Sequence, residues 1–139
     1  MEEELLIKEL KTKLKFHESI ATAFVVGNGR CEYCGQDLLR DRQGYASATL
    51  DHLLPKEKYD KSIAENPNNW VLSCSCCNSA KGRYDVLKTN EDANEMLNNN
   101  RDDLIVRARK YISEKMLEYD REWISAIEIL LNRWWTKPE

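Results

Sequence analysis

Two Cys-x-x-Cys pairs, Cys31-Glu32-Tyr33-Cys34 and Cys74-Ser75-Cys76-Cys77, limit what this chain can fold into more than any other feature. Two sulfurs three positions apart on a tight turn can meet one metal ion, and two such turns close a tetrahedral four-thiolate site. Gly35, directly after the first pair, helps the backbone turn sharply. The separation between the pairs is longer than in a simple zinc ribbon, so a folded segment must lie between them. The cysteines number five, an odd count that argues against a fully paired disulfide framework. In a reducing compartment, clustered cysteines are more often metal ligands. A structural Zn2+ on Cys31, Cys34, Cys74 and Cys77 is therefore expected. It would supply much of the folding free energy of a core of roughly 60 residues, which has little apolar surface to bury. Cys76 is left over and unassigned: it could replace Cys77 as a ligand, although a Cys-x-Cys pair is the less common geometry, and otherwise reads as a free thiol, packed or exposed.

The rest of the composition sets broader bounds. A chain of 139 residues fits one domain, or one compact domain with helical extensions. No run of about 18 apolar residues is present, so no membrane span is expected. The start, Met-Glu-Glu-Glu-Leu-Leu-Ile-Lys, lacks the basic, apolar and small-residue stretches of a secretory signal, and the expected location is the cytoplasm. The net charge is −3. Nucleic-acid binders usually carry a basic balance, so any phosphate contact has to come from a local patch.

Three regions follow from the patterning. Residues 1–29 read as an N-terminal helix, with Leu6, Leu10, Leu14, Ile20 and Phe24 at near-helical spacing and Gly27-Asn28-Gly29 as the stop. Residues 30–88 form a small core. Within it Tyr45–Leu54 reads as a strand, 56–69 as a loop, Trp70-Val71-Leu72 as a short strand and Asn78–Leu87 as a helix. Residues 89–139 read as a helical extension that starts near Thr89 or Asn90. After a break at Asn98-Asn99-Asn100, a stripe through Leu104, Tyr111, Met116, Trp123, Ile127 and Trp134 suits one helix of roughly 30 residues, with Pro138 just past its end. His17 reads as an exposed helix residue. Trp134-Trp135 is apolar for a chain end, which suggests docking on the N-terminal helix or on a second copy of the chain. A homodimer through this helix is thus one expected partnership.

Between the cysteine pairs lies Leu50-Asp51-His52-Leu53-Leu54-Pro55, then Asn68-Asn69-Trp70-Val71-Leu72. The second pair runs straight into Asn78-Ser79-Ala80-Lys81-Gly82. This order, over roughly residues 30–84, resembles the HNH endonuclease family. The resemblance implies a zinc-stapled ββα-metal core, hence an α+β protein, and cleavage of phosphodiester bonds in DNA to 5′-phosphate and 3′-hydroxyl ends. By position it makes His52 the general base and Asp51 a metal ligand. Asn69 becomes the residue that positions the loop and the histidine, and Asn78 a second metal ligand where the family often has His.

The residue chemistry agrees with that assignment. A histidine has the near-neutral pKa a base needs. Asp51 and Asn78 offer oxygen ligands, which favour Mg2+ or Mn2+ over Zn2+. Lys81 and Arg83, at the start of the expected helix, are candidate DNA-phosphate contacts. One conflict is visible in advance: neighbouring residues of a strand point to opposite faces, so Asp51 and His52 can share a site only if the strand bends or bulges near His52. The other readings are a zinc-dependent nucleic-acid-binding module without catalysis and a protein-interaction subunit.

Overall fold

The computed structural model describes residues 1–136, and side chains through Trp134. Seven helices and one two-stranded sheet are found among them. The N-terminal region is two helices instead of one, α1 (Glu2–Lys13) and α2 (Glu18–Val26). The chain reverses at Lys15, which takes the left-handed φ of 60°, and Phe16 folds back on Phe24 with ring centroids 5.6 Å apart. His17 is exposed but sits at the N-cap position of α2, with no capping bond from its side chain, and does not lie on a helix face. Asn28 (φ 53°) and Gly29 (φ 70°) supply the left-handed turn that ends α2.

The expected strand from Tyr45 begins later. Asp41 caps a short helix α3 (Arg42–Ser47), its carboxylate accepting from the Gly44 amide at 2.7 Å, so Tyr45 is helical. Strand β1 then runs Ala48–His52 and pairs antiparallel with β2 (Trp70–Cys74), in a register from Ala48 opposite Cys74 to His52 opposite Trp70. Between them lie the one-turn helix α4 (Lys61–Ala64) and a 3-10 turn at Pro67–Asn69, where a plain loop was expected.

Helix α5 (Ser75–Lys81) starts at the second cysteine pair and stops at Gly82, whose φ of +51° suits glycine. It therefore begins and ends earlier than the expected Asn78–Leu87. Helix α6 (Ala93–Asn99) is capped by Asp92, and α7 (Arg101–Thr136) follows directly.

The core joins Ala23 of α2, the two strands, α5 and the first part of α7 through Leu38, Leu53, Leu54, Val71, Leu72, Ala80, Leu97, Leu104, Ala108 and Ile112. Helix α2 packs on the sheet from one side, while α5 contacts both strands and α7. Arg101, at the start of α7, locks this assembly. It makes a two-pronged ion pair with Glu32 at 2.9 Å and donates to the carbonyls of Asn68 and Trp70. Arg109 reaches the Glu32 carbonyl as well.

The 36 residues of α7 extend about 54 Å. Its last buried side chain is Ile112. From Leu117 to Trp134 every side chain except Ile127 is exposed. Trp134 is 65% exposed, so it does not dock on the N-terminal helices. The side chain of Trp135, and Pro138, lie outside the described residues. No helix among the described residues is long and apolar enough to cross a membrane.

Candidate metal centre and active site

The four cysteines of the two pairs converge. The sulfurs of Cys31, Cys34, Cys74 and Cys77 all lie within 4.8 Å of one another. A tetrahedral ion with metal–sulfur bonds of about 2.3 Å sets its sulfurs about 3.8 Å apart, and Cys34 Sγ to Cys74 Sγ is 3.8 Å. Three of the four residues are buried. Cys74 also caps α5, its sulfur accepting the Cys77 amide at 3.4 Å. The first turn closes through Gly35 N–H to Cys31 O at 2.8 Å, and Gly35 takes a φ of +80°.

The thiols cannot all ionise on their own. Cys31 accepts from Cys77 and is pulled down to about 4, while that same bond drives the Cys77 thiol far up and burial lifts Cys34 to about 11. One divalent cation would relieve this conflict by taking all four as thiolates and releasing their protons. The donor set thus fits a structural metal of zinc type. Cys76 is exposed and outside the cluster.

The first knuckle is tied to the sheet by the Glu32 amide, which donates to Leu72 O at 2.9 Å. Asn69, fully buried, clamps the chain that leaves β1. Its Oδ1 accepts the Leu54 amide at 2.7 Å, its Nδ2 donates to Leu54 O at 3.1 Å, and its own carbonyl accepts the Leu53 amide at 3.0 Å. One side chain therefore fixes the turn immediately after His52.

His52 sits half-buried at the end of β1 in a groove of about 630 Å³. Leu50 and Trp70 line the groove from the sheet, Lys56, Lys61 and Glu65 from the connecting segment, and Glu18 from α2. Trp70 is anchored by its indole N–H to Ala64 O at 3.1 Å. Burial is the main cause that lowers the His52 pKa below its ordinary 6.5. Asp51 opposes the shift, Lys56 and Lys81 add to it, and Glu57 opposes it. The imidazole is thus neutral at pH 7 and able to accept a proton. The sequence reading missed Lys56 and Lys61. Both lie in the segment read as a plain loop, and only the fold brings them to the histidine.

Asp51 goes elsewhere. β1 is regular through His52, without the expected bend or bulge, so the two neighbours point to opposite faces. The Asp51 carboxylate is buried, accepts from Tyr33 OH at 2.5 Å, and lies 3.4 Å from Lys81 Nζ. Lys81 is therefore neither at a helix start nor open to solvent. It sits in the last turn of α5 with a fully buried side chain and donates to His52 O at 2.8 Å. Arg83 is exposed beyond Gly82, outside any helix. Asn78 is half-buried on α5. In this arrangement the Asp51 carboxylate already faces a cation.

Residues 31–83 match the family model described as HNH endonuclease. The match spans both cysteine pairs and Asp51, His52, Asn69, Asn78, Lys81 and Arg83, and the flanking helices α1, α2, α6 and α7 lie outside it. Neither the curated proteins nor the solved structures yield a match to this chain.

The Asn69 clamp generates a direct prediction. Asn69→Ala leaves the buried Leu54 amide without its acceptor and should cost about 2–3 kcal/mol. Asn69→Asp keeps the acceptor but sets a carboxylate against Leu54 O, and should also destabilise. Urea unfolding of the zinc-loaded variants reads both, and a wild-type midpoint for Asn69→Ala contradicts the clamp.

Proposed function

We propose that the HNH-like segment is a metal-dependent endonuclease that hydrolyses phosphodiester bonds in DNA, with His52 as the general base. One observation carries this reading: within the family-matched segment, a half-buried histidine ends a strand and opens on a groove. His52 takes a proton from water as the water oxygen bonds to phosphorus and the P–O3′ bond breaks. The departing oxygen takes its proton from solvent. Asn69 holds the turn after His52, which keeps the imidazole at the groove.

Cations for the phosphate backbone come from Lys56 and Lys61 at the groove, with Arg83 retained as an exposed candidate. The structural ion of the four cysteines is Zn2+. Mg2+ or Mn2+ is the catalytic ion of this reading, with Asp51 and Asn78 as its oxygen donors once the carboxylate is free of Lys81. The occupied state of Asp51 is the feature that favours the second reading, a zinc-dependent nucleic-acid-binding module without catalysis.

The arm of α7 supports a homodimer. Met116, Trp123, Ile127, Leu130 and Trp134 follow a heptad seam, with Leu117, Ile124 and Leu131 exposed beside it. One ββα site cuts one strand, and a dimer would present two.

Supercoiled plasmid tests the chemistry. Wild type should nick it with Mg2+ or Mn2+ and not with EDTA, while His52→Ala should lose the activity. Equal cleavage by both proteins rejects His52, and no cleavage by either favours the binding module. On the acid side, kcat/KM should fall with a midpoint below 6.5, because the base works only when neutral and its pKa is depressed. A midpoint above 6.5 contradicts the buried imidazole. For the arm, sedimentation should give twice the 16.3 kDa chain mass, and Trp123→Glu with Leu130→Glu should return the monomer. A monomeric wild type at micromolar concentration overturns the dimer.

A further inference from the structure

Tyr33 and Lys81, which hold Asp51 on the far face of β1, have no role of their own in the chemistry described so far. Lys81 Nζ meets two oxygens of the strand end, His52 O at 2.8 Å and Asp51 Oδ2 at 3.4 Å, and Tyr33 OH donates to that same Asp51 oxygen. A lysine with its side chain fully buried is rare unless paired, and this one is paired with the carboxylate assigned to the catalytic ion. Its place is fixed from both knuckles. Tyr33 lies inside the first cysteine pair, and α5, which ends in Lys81, begins at the second.

We infer that Lys81 is the resident counter-cation of Asp51, and that a divalent ion gains the carboxylate only by displacing the Lys81 ammonium. This inference deepens the proposed function and rests on its assignment of Asp51 as a ligand. The physical ground is short-range repulsion. A Mg2+ or Mn2+ ion binds carboxylate oxygen at about 2.0–2.1 Å. At such a position it faces an ammonium 3.4 Å from the same oxygen, in an environment where little water screens the two charges. The ammonium thus opposes metal binding while it satisfies an acid that would otherwise be buried unpaired. Lys81 is in consequence a positioning residue. It holds Asp51 and the His52 carbonyl in register without touching substrate, and it sets how much divalent ion the site needs.

Direct binding of Mn2+ to the zinc-loaded full chain, read by loss of the free-ion electron paramagnetic resonance signal, tests this. Mn2+ is a poor competitor for the thiolate cluster. Lys81→Gln removes the charge and keeps a donor for His52 O. It should bind Mn2+ about tenfold more tightly than wild type, or better, and should reach half-maximal plasmid cleavage at a correspondingly lower Mn2+ concentration. Lys81→Arg keeps the charge and should show no gain in affinity. Asp51→Asn combined with Lys81→Gln should lose the gain. If Lys81→Gln fails to fold, judged by zinc content and melting, Lys81→Met within a chain also carrying Asp51→Glu gives the same comparison against Asp51→Glu alone. Unchanged or weaker Mn2+ binding on removal of the charge overturns the inference. The underlying assignment fails separately: its signature is an Asp51→Asn protein that binds Mn2+ as wild type does.

Discussion

Four sulfur atoms brought within 4.8 Å of one another are the constraint on which the rest of the structure depends. Each knuckle does more than hold an ion. The first carries Glu32, which bonds β2 through its amide and α7 through Arg101 and Arg109, and Tyr33, which bonds Asp51. The second ends β2, caps α5 through Cys74 and so fixes where Lys81 falls. Sheet, short helix and long helix therefore meet through residues interleaved with the metal ligands. A segment this small buries few large side chains. Linking its elements through a metal is a physical alternative to a larger apolar core.

The two faces of β1 then carry different loads. The face with Leu50 and His52 opens on the groove, where burial keeps the imidazole neutral. The face with Asp51 turns into the body, where a carboxylate needs partners and finds Tyr33 and Lys81. Asn69 joins the two by fixing Leu53 and Leu54, the first residues past the strand. The site is thus a strand end held from behind by a buried ion pair and in front by an amide clamp, and only the histidine faces outward. In that respect the arrangement differs from an open ion site.

Much of this was legible in the residues because the signals are local or strongly periodic. The doubled Cys-x-x-Cys needs no long-range knowledge to read as one metal site, and the motif from Asp51 to Lys81 lies within the stretch that matches the HNH endonuclease model. The long apolar stripe of α7 is also visible as period alone. What escaped depended on backbone choices that few residues announce. The reversal at Lys15 splits the N-terminal helix without glycine or proline. Tyr45 and its neighbours alternate like a strand, yet the Asp41 cap makes them a helix. Gly82 ends α5 early, which moves Lys81 from an expected helix start to a helix end and from the surface to the interior. The rule that neighbours on a strand diverge was known from the residues. The expected bulge was the wrong remedy, because the protein keeps the strand regular and gives Asp51 a lysine instead.

The four-cysteine centre is placed to organise the strand end that carries His52. Amide hydrogen exchange, with and without the metal removed by a strong chelator, tests it most directly. The account predicts about one zinc per chain in the untreated protein. Chelation should also abolish protection at Glu32, Leu53 and Leu54 while part of α7 keeps its own. Unchanged protection of those amides in the metal-free chain would show that the core stands without the cluster, and would contradict the account.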